Sequence, residues 1–440
     1  MINYKQSFAG WLEMKNEKII MPFIGIALAA VFIGSVVTDS LATQKNLLFE
    51  SKKVTSISEI AIPAVPDIKP ENDLGVVTAE QWAPYYPDIY ASHERNKDNV
   101  GDPAGRIKYT ETNPDITVIY QGMGFSFDYT EAIGHSYTLD DIAETTRPHK
   151  LANCLTCKSP DMAALVNKMG TEAYRMDFDT AYAMMEEPVS CYTCHANEPG
   201  TINIVHDYAA RAWSDEIEAK KVNAIDVSCG QCHIEYYFDP ETKATMVPYD
   251  SKDGIAPDAI LAVYNEMGFS DYTNANTGVG MIKVQHPEFE TYYGKGSQHV
   301  GMYTCADCHM YFDYNEKTAE PYVVHEFTSP LNNSRLLNEQ CSLCHKDLKS
   351  EVAAIQKHVT DRENEISAML VDINTKLAAA IENGSLDEET IAKIKSLDRD
   401  AQFYWDFVFV ENSEGAHNSK LSDQCLDKAE ALAKEALDLL

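Results

Sequence analysis

The stretch Cys154-Leu155-Thr156-Cys157-Lys158 decides the fold of this chain. It has the form of a c-type haem attachment site, Cys-x-x-Cys-His, with lysine in place of the histidine. The ordinary motif then recurs four times, at Cys191–His195, Cys229–His233, Cys305–His309 and Cys341–His345. Two thiols three residues apart can form thioether bonds to one porphyrin, and the next side chain can bind its iron. The pattern therefore predicts five haems c, one of which has an amine as its proximal ligand.

Chance does not explain the repetition. Cysteine is about 2.5 % of the chain, so random placement gives on the order of 0.01 matches to the full motif. Zinc sites also use paired cysteines, but they do not require a basic residue after each second cysteine. Disulfides between cysteines three residues apart are strained and typical of redox switches. The eleventh cysteine, Cys425, lies in an apolar helical pattern, which favours a buried, unreactive thiol.

The motifs fix two sets of predicted haem residues. The cysteines that form thioethers are Cys154, Cys157, Cys191, Cys194, Cys229, Cys232, Cys305, Cys308, Cys341 and Cys344. The proximal iron ligands are Lys158, His195, His233, His309 and His345. Because its ligation differs from that of the others, the lysine-ligated haem is the candidate reaction site.

Charge and length narrow the possible functions. The chain has 440 residues and a net charge of −32, with no basic stripe that could neutralise phosphates, which argues against nucleic-acid binding. Such a surface favours a basic or locally complementary redox partner.

The N-terminus predicts export. Ile19–Val37 contains no charged residue, follows Lys15 and Lys18, and precedes Asp39. A helix of this length spans roughly 28 Å, close to a bilayer core. Residues 1–38 are therefore a cleaved signal sequence or a retained N-terminal anchor, and the long apolar run favours the anchor. Either one places the protein in the periplasm or on the extracytoplasmic face of the membrane.

Composition divides the rest of the chain into three parts. Residues 39–80 are polar, contain Pro63, Pro66 and Pro70, and are predicted to be a linker. Residues 81–350 carry the five motifs and form the predicted pentahaem catalytic domain. Residues 351–440 are a predicted helical region.

The helical region has one apolar face. Its members recur at helical spacing: Ile355, Val359, Ile366, Leu370, Ile373, Leu377 and Ile381. Gly384 is predicted to end this helix, and Ser385 with Glu388 to form a capping box for the next. The pattern alone leaves two alternatives open for the face, which are packing within the chain and a dimer seam.

Three strings resemble cytochrome c nitrite reductase, the ammonia-forming pentahaem enzyme. They are Cys-Leu-Thr-Cys-Lys-Ser-Pro from Cys154, Cys-Gly-Gln-Cys-His-Ile-Glu-Tyr-Tyr-Phe from Cys229, and Lys-Val-Gln-His-Pro-Glu-Phe-Glu from Lys283. The resemblance extends from about Trp82 to Leu440. It implies a mainly α fold, a multihaem cytochrome c with few short strands and long C-terminal helices. In the family those helices build a homodimer, so the resemblance favours the dimer seam and implies that residues 351–440 form the dimer interface. The electron donor in the family is a membrane-associated, quinol-oxidising cytochrome c.

The resemblance also implies roles for individual residues. The second iron ligands of the four histidine-ligated haems are His135, His299, His325 and His417. The catalytic residues at the lysine-ligated haem are Lys158, Tyr236 and His286. A calcium ion is bound by the side chains of Glu235 and Gln285 and by the backbone carbonyls of Tyr236 and Lys283. The remaining histidines singled out, His93, His149, His206 and His358, are interpreted as surface or structural.

One position departs from the family. The family has Arg-Gly-His where this chain has Ile133-Gly134-His135, and isoleucine cannot donate a hydrogen bond to nitrite. Another basic residue, Arg147 or Arg106, can take the place of that arginine, or the enzyme is slow, or the substrate differs. The main hypothesis is six-electron reduction of nitrite to ammonium. The alternatives are an electron-transfer cytochrome without catalysis and a reductase of hydroxylamine or sulfite.

Overall fold

The computed structural model describes residues 52–98, 106–148 and 151–440. Helices dominate these ranges, which confirms the predicted mainly α fold class. The predicted signal or anchor segment, 19–37, lies outside the described residues. In the ranges that are described, no helix has both the length and the apolar character needed to cross a membrane.

Most α-helices before residue 340 are short. They are α1 Ala79–Trp82, α2 Pro87–Glu94, α3 Tyr109–Thr112, α4 Ile116–Ile119, α5 Thr138–Glu144, α6 Pro160–Met169, α7 Phe178–Tyr182, α8 Cys191–His195, α9 Asp207–Glu218, α10 Ala224–Gly230, α11 Pro257–Met267, α12 Glu288–Tyr293, α13 Cys305–His309 and α14 Ser334–Glu339. Three long helices follow: α15 Leu348–Asn383, α16 Glu388–Phe409 and α17 Ser419–Leu439.

The strands form three two-stranded antiparallel sheets. These pair β1 Tyr237–Phe238 with β2 Thr245–Met246, β3 Tyr272–Thr273 with β4 Gly280–Met281, and β5 Phe312–Tyr314 with β6 Pro321–Val323. Short 3₁₀ turns connect many elements, at Ile57–Glu59, Arg95–Lys97, Gly124–Ser126, His135–Tyr137, Ala152–Leu155, Gly170–Arg175, Lys252–Gly254, Pro330–Asn332 and Cys341–Leu343.

Two of the attachment motifs are themselves helical turns. Helices α8 and α13 each begin at the first cysteine of a motif and end at its histidine. A capping box starts α13, where the Thr304 hydroxyl accepts from the Asp307 amide and the Asp307 carboxylate accepts from the Thr304 amide. A helical turn places residues three apart on one side, so both thiols of a motif face the same space.

A glycine inside the third motif permits close packing. A Cβ atom on Gly230, at the end of α10, would lie 2.4 Å from Cδ2 of the Phe289 ring on α12. Only glycine allows α10 and α12 to approach this closely, which brings the third motif next to the segment that carries His286.

The three C-terminal helices pack on one another around a large apolar core. Gly384, in the left-handed region at φ 66°, ends α15 as predicted. The predicted capping box at Ser385 is wrong. Helix α16 begins at Glu388, and the Asp387 carboxylate accepts from the Thr390 amide, because Asp387 is the residue adjacent to the first helical turn.

The predicted apolar face of α15 is buried in this core. Its central members have exposures of at most 1 %, and these are Val359, Ile366, Leu370, Ile373 and Leu377. Only Ile381, at 38 %, is exposed. The structure therefore supports packing within the chain for this face, and the face is not available to a second copy. A homodimer formed through other surfaces stays a prediction.

The chain divides into two compact units. The described part of the smaller unit contains residues 52–60 and Phe312–Val323, the hairpin of β5 and β6. Within it, Lys52 donates to the Thr318 carbonyl at 3.0 Å, and the Val54 amide donates to the Tyr314 hydroxyl at 3.0 Å.

The larger unit contains Ala61–Tyr311 and Val324–Leu440. All five motifs and the three long helices belong to it. The boundary predicted between residues 350 and 351, like the other domain limits, stays a prediction.

Candidate haem sites and active site

Each predicted proximal histidine lies opposite one predicted distal histidine. The ring centres are separated by 6.1 Å in His135–His233, 6.2 Å in His195–His325, 6.2 Å in His299–His345 and 6.0 Å in His309–His417. Two imidazoles that bind one metal ion, with metal–nitrogen bonds of about 2.0–2.1 Å, have ring centres roughly 6 Å apart. The spacing therefore fits an iron between the members of each pair, and the structure supplies the pairing that the sequence left open.

His233 has a second neighbour, His286, whose ring centre is 6.2 Å away. The Glu288 carboxylate lies 3.7 Å from Nδ1 of His233 and 4.0 Å from Nδ1 of His286, so it is close to both rings. His135 is taken as the partner of His233 because the resemblance gives His286 a catalytic role instead.

Backbone carbonyls orient two of the proximal histidines. Nδ1 of His195 lies 2.8 Å from the Thr201 carbonyl, and Nδ1 of His309 lies 3.0 Å from the Thr328 carbonyl. A carbonyl oxygen only accepts, so each Nδ1 carries the proton and each Nε2 keeps its lone pair. This is the tautomer that ligates iron through Nε2.

Carboxylates take the same position at two other histidines. Nδ1 of His345 lies 2.7 Å from Glu351, and Nδ1 of His417 lies 2.7 Å from Glu411. The Glu351 side chain is half exposed, whereas that of Glu411 is buried. The two histidine–carboxylate hydrogen bonds thus have the same length, but only the carboxylate of Glu351 is open to solvent.

Burial keeps two of the ligand histidines in the form that binds metal. It lowers the pKa of His135 to about 3 and that of His309 to about 4, whereas Glu288 and Glu411 raise the pKa of His233 and of His417. Nδ1 of His135 is buried with no hydrogen-bond partner among the described residues. Neutral imidazoles in fixed orientations fit haem ligation.

The segment around His325 is held by the end of α2. The His325 amide donates to the Ser92 hydroxyl at 2.8 Å, and its carbonyl accepts from the Asn96 amide group at 2.7 Å. The Phe327 amide donates to the side-chain oxygen of Asn96 at 2.8 Å. The Phe327 ring packs edge-on against His135, with 4.7 Å between ring centres. One clamp therefore positions residues at two predicted distal positions.

The backbone of the lysine motif is fixed on both sides. The Lys158 amide donates to the Leu155 carbonyl at 3.0 Å, and the Lys158 carbonyl accepts from the Thr138 hydroxyl at 2.6 Å. Ser159 then caps α6, because its hydroxyl accepts from the Asp161 amide at 3.2 Å. These bonds orient the Lys158 side chain.

Neighbouring motifs meet at this point. A hydrogen bond from the Cys232 thiol lowers the pKa of Cys157 to about 7, and the Tyr208 hydroxyl lies 3.7 Å from the Cys157 sulfur. The first and third motifs are therefore adjacent, as electron transfer between their haems requires.

The structure brings Tyr236 and His286 to the lysine motif. Burial raises the pKa of Tyr236 well above its usual value, and the nearby Cys157 and Cys154 thiols raise it further. Burial lowers the pKa of His286 to about 4, and the charges of His233 and Lys158 act in the same direction. At neutral pH the histidine is thus neutral and the tyrosine protonated, so each can donate a hydrogen bond.

Of the two arginines proposed to compensate for Ile133, Arg106 is already paired. Its guanidinium lies 2.7 Å from Asp141 and 3.3 Å from Glu144. Ile133 itself is buried, and its amide donates to Asp141 at 3.1 Å. The Arg106 charge is therefore largely neutralised beside the position of the missing arginine.

Arg147 is the second arginine proposed to compensate for Ile133. Its guanidinium is 4.1 Å from the centre of the Phe125 ring, and its Nε donates to the Thr145 hydroxyl at 3.0 Å. Burial lowers the pKa of Arg147, whereas the charge of Asp128 and, after it, those of Tyr129, Tyr236 and Cys154 act in the opposite direction. Arg147 is thus a half-buried guanidinium whose charge acts on the predicted catalytic tyrosine and on the lysine motif.

The four predicted calcium residues also come together. Glu235 has no exposed surface, and its carboxylate accepts from the Tyr264 hydroxyl at 2.8 Å and from the Gln285 amide at 2.6 Å. The side-chain nitrogen of Gln285 donates to the Lys283 carbonyl at 2.8 Å. Tyr236 follows Glu235 directly in the chain. These are oxygen donors of the kind that calcium binds.

Negative charge exceeds positive charge around this group. The carboxylate of Asp271 accepts from the Lys283 amide, and that of Glu290 accepts from the Glu235 amide, both at 2.9 Å. Burial raises the pKa of Asp271 and of Glu290 to about 7. The Lys283 ammonium lies 3.2 Å from Asp406, and the charge of Arg399 acts on Asp271, so two cations accompany four carboxylates, those of Glu235, Asp271, Glu290 and Asp406. This imbalance fits a bound cation.

A cluster of three or more His, Cys, Asp or Glu ligands is absent from the described ranges. The predicted calcium set does not depend on such a cluster, because Glu235 is the only residue of those four types in it.

Sequence reasoning missed several residues of these sites. Asp271, Glu288 and Glu411 come from separate segments and carry no motif of their own. His93 and His206 are buried at 8 % and 4 % exposure, so they are structural and the surface alternative is wrong for both. His358 is exposed, in agreement with the surface interpretation, and its Nε2 lies 2.9 Å from the Asp423 carboxylate. His149 lies outside the described residues.

The chain was compared with known proteins. The family model of cytochrome c552 matches residues 78–440. Among solved structures, the chain is similar to the catalytic subunit of cytochrome c nitrite reductase from Desulfovibrio desulfuricans, which is described as having two calcium sites. The identity is 24 % over 82 % of this chain and 85 % of that chain, with a TM-score of 0.71, so the two share a fold.

Two further structures are more distant. One is the outer cell wall cytochrome OcwA, with 16 % identity over 77 % of this chain and 54 % of that chain and a TM-score of 0.37. The other is the undecahaem cytochrome from the S-layer of Carboxydothermus ferrireducens, with 19 % identity over 70 % and 41 % and a TM-score of 0.34.

The family model covers the lysine motif, the four histidine motifs and the long C-terminal helices, so the predicted resemblance is confirmed at the level of the family. The chain belongs to the cytochrome c552 family, with haem c as its prosthetic group.

Proposed function

We propose that this protein is a pentahaem, ammonia-forming nitrite reductase. The observation that carries the proposal is the set of four histidine pairs at 6.0–6.2 Å beside a lysine motif that Tyr236 and His286 approach. Six electrons and eight protons convert one nitrite into ammonium and two water molecules. The haems, when bound, supply these electrons and an iron position for the substrate.

The chain's residues hold this system in fixed geometry. The ten cysteines of the motifs would anchor the porphyrins, and the four histidine pairs would hold four irons suited to electron transfer. Lys158 would hold the fifth iron through a neutral amine, which is the form of lysine that binds metal.

His286 and Tyr236 are the proposed proton donors. With a pKa of about 4, His286 is neutral at neutral pH and offers one N–H and one acceptor nitrogen, which suits proton relay. Tyr236 keeps its proton and donates a hydrogen bond to the bound anion or its reduced forms. The Glu288 carboxylate lies 4.0 Å from Nδ1 of His286, which is too far for a hydrogen bond.

Arg147 is the proposed replacement for the missing arginine. Nitrite is an anion, and a half-buried guanidinium whose charge acts on Tyr236 supplies the positive charge that Ile133 lacks. Arg147 is preferred to Arg106 because its charge acts on both Tyr236 and Cys154.

Calcium completes the proposed site. Glu235 and Gln285 would bind it through side-chain oxygens, and Tyr236 and Lys283 through carbonyls. The excess of buried carboxylates supports a divalent cation here, and the structurally similar nitrite reductase is described as having calcium sites. Glu235→Gln is expected to lower the calcium content of the purified protein, measured by atomic emission against the exposed control Glu389→Gln.

The proposal includes the cellular setting. The protein would be exported, receive electrons from a membrane-associated, quinol-oxidising cytochrome c and act as a homodimer, with residues 1–38 as signal or anchor. Residues 39–80, 81–350 and 351–440 would then be linker, catalytic domain and C-terminal helical region.

A second candidate is a reductase of a less charged or differently shaped substrate, such as hydroxylamine or sulfite. Ile133 favours it, because this buried apolar side chain stands where the family has an anion-binding arginine. An electron-transfer role without catalysis is the third candidate.

The test uses the holoprotein with five haems and a reduced artificial donor. We expect ammonium from nitrite, and at least a hundredfold loss of turnover in His286→Asn, because general acid–base groups contribute roughly that much. His358→Asn, exposed on α15, is the matched control and should retain activity. Fully haem-loaded protein that forms no ammonium rejects the proposal, and turnover of hydroxylamine or sulfite alone supports the second candidate.

Arg147 is tested through the KM for nitrite. Arg147→Gln should raise it by about tenfold or more, since a charged hydrogen bond contributes about 1.5–3 kcal/mol, while Arg106→Gln should change it little. If Arg106→Gln has the larger effect, the two assignments are reversed. A large gain of nitrite turnover in Ile133→Arg would instead indicate a site adapted to another substrate.

A further inference from the structure

A buried carboxylate is bonded to one of the proposed iron ligands. Glu411 has an exposure of 3 %, and its Oε1 lies 2.7 Å from Nδ1 of His417. The same oxygen accepts from the Ser413 amide at 3.2 Å, and Oε2 accepts from the Ser413 hydroxyl at 2.6 Å. The Ser413 hydroxyl in turn accepts from the His417 amide at 2.9 Å. The turn between α16 and α17 therefore locks the carboxylate against the imidazole.

This contact changes the imidazole as an electron donor. A carboxylate that accepts from Nδ1–H draws that proton toward itself and increases the electron density on Nε2. A more basic Nε2 binds ferric iron more strongly than ferrous iron, so the iron becomes harder to reduce. The effect is large where the dielectric constant is low, because water does not screen the charge.

The other ligand histidines provide the comparison. Nδ1 of His195 and of His309 donates to a neutral carbonyl. His345 donates to Glu351 at the same 2.7 Å as His417 does to Glu411, but the Glu351 side chain is 46 % exposed. Among these contacts, the one at His417 combines a carboxylate acceptor, a short hydrogen bond and a buried acceptor side chain.

We propose that Glu411 is a positioning residue that lowers the reduction potential of the haem attached at Cys305 and Cys308. The inference rests on the proposed function in one respect, which is that His417 and His309 ligate this iron. It adds the statement that the histidine-ligated haems differ in reduction potential, because the Nδ1 atoms of their ligands donate to different groups. The haem held by His309 and His417 is then harder to reduce than it would be with a neutral acceptor in place of Glu411.

The test is a redox titration of the full holoprotein, followed optically and by electron paramagnetic resonance. Glu411→Gln keeps an acceptor oxygen for Nδ1 and removes only the charge. We expect one of the five couples to become about tenfold easier to reduce, which is 59 mV for one electron, with the low-spin spectrum retained. Glu351→Gln is the matched control and should change its couple less than threefold. Unchanged potentials in Glu411→Gln overturn the inference.

Two further variants show whether a negative result concerns the haem ligation or the role of Glu411. His417→Ala should convert one low-spin haem to high spin. If it does not, the ligation in the proposed function fails, and nitrite turnover with an artificial donor tests catalysis independently. Ser413→Ala keeps the Glu411 charge and the Ser413 amide donor and removes one hydrogen bond to the carboxylate, so it should change the same potential by less than Glu411→Gln. If Glu411→Gln does not accumulate, Glu411→Ala takes its place in the same titration, and an unchanged potential overturns the inference.

Discussion

Replacing Asp398 with asparagine should stabilise this protein at neutral and alkaline pH. Asp398 lies in α16 and has no exposed surface. Its Oδ1 accepts from the Asn374 amide group at 3.4 Å, and its Oδ2 is buried without a hydrogen-bond partner among the described residues. Burial raises the pKa of this carboxyl to about 7.

The sign of the effect follows from proton binding. Between about pH 4 and pH 7 the folded protein holds a proton that an unfolded aspartate, with a pKa of about 3.9, has released. The free energy of unfolding therefore falls as the pH rises through this window, and it levels off above the folded-state pKa. A difference of about three pKa units corresponds to about 4 kcal/mol at most, at about 1.4 kcal/mol per unit.

Asparagine keeps the shape of the side chain without this cost. Asp398→Asn should raise the free energy of unfolding by about 2–4 kcal/mol at pH 8 and by close to zero at pH 4.5. Denaturant unfolding followed by far-UV circular dichroism at several pH values measures the difference from wild type. Asp438→Asn, which removes an exposed carboxylate from α17, is the control and should show no such pH dependence. A gain that is the same at pH 4.5 and pH 8 refutes the reasoning.

Three other substitutions test the packing. Gly122→Ala should destabilise the protein by more than about 2 kcal/mol, because φ is 105° and a Cβ would lie 2.3 Å from the Thr273 carbonyl oxygen; calorimetry would contradict this if the melting temperature were unchanged. Leu370→Ala, in the fully buried face of α15, should cost about 2–5 kcal/mol in denaturant unfolding. Ser92→Ala removes the acceptor of the His325 amide and should cost about 1–2 kcal/mol; carbon monoxide binding to the reduced protein reports whether the haem at Cys191 also loses its second ligand.

Local spacing made the haem motifs predictable. A Cys-x-x-Cys-His string is a complete attachment site on one helical turn, so α8 and α13 follow directly from sequence. Gly384 was predictable for the same reason, because a glycine after an apolar helical run ends a helix. The cap at Asp387 was not, because Ser385 and Asp387 are both good capping residues and tertiary packing fixes where α16 begins.

The partners of those motifs depend on distant segments. His417 meets His309, and His299 meets His345, only after the chain has folded, and no spacing rule relates such residues. The same holds for Arg147, whose position near Tyr236 depends on Phe125 and Thr145. The apolar face of α15 also required the structure, since periodicity shows that a face is apolar without showing what covers it.

The sequence by itself determined the family, the haem c cofactor, the mainly helical fold and the position of the unusual lysine motif, because each is encoded within a few consecutive residues or within one helical period. Only the tertiary structure decided which histidines face each other, which arginine approaches the lysine motif and where Glu411 meets its imidazole. These are contacts between segments far apart in the chain, and their geometry is set by packing in three dimensions.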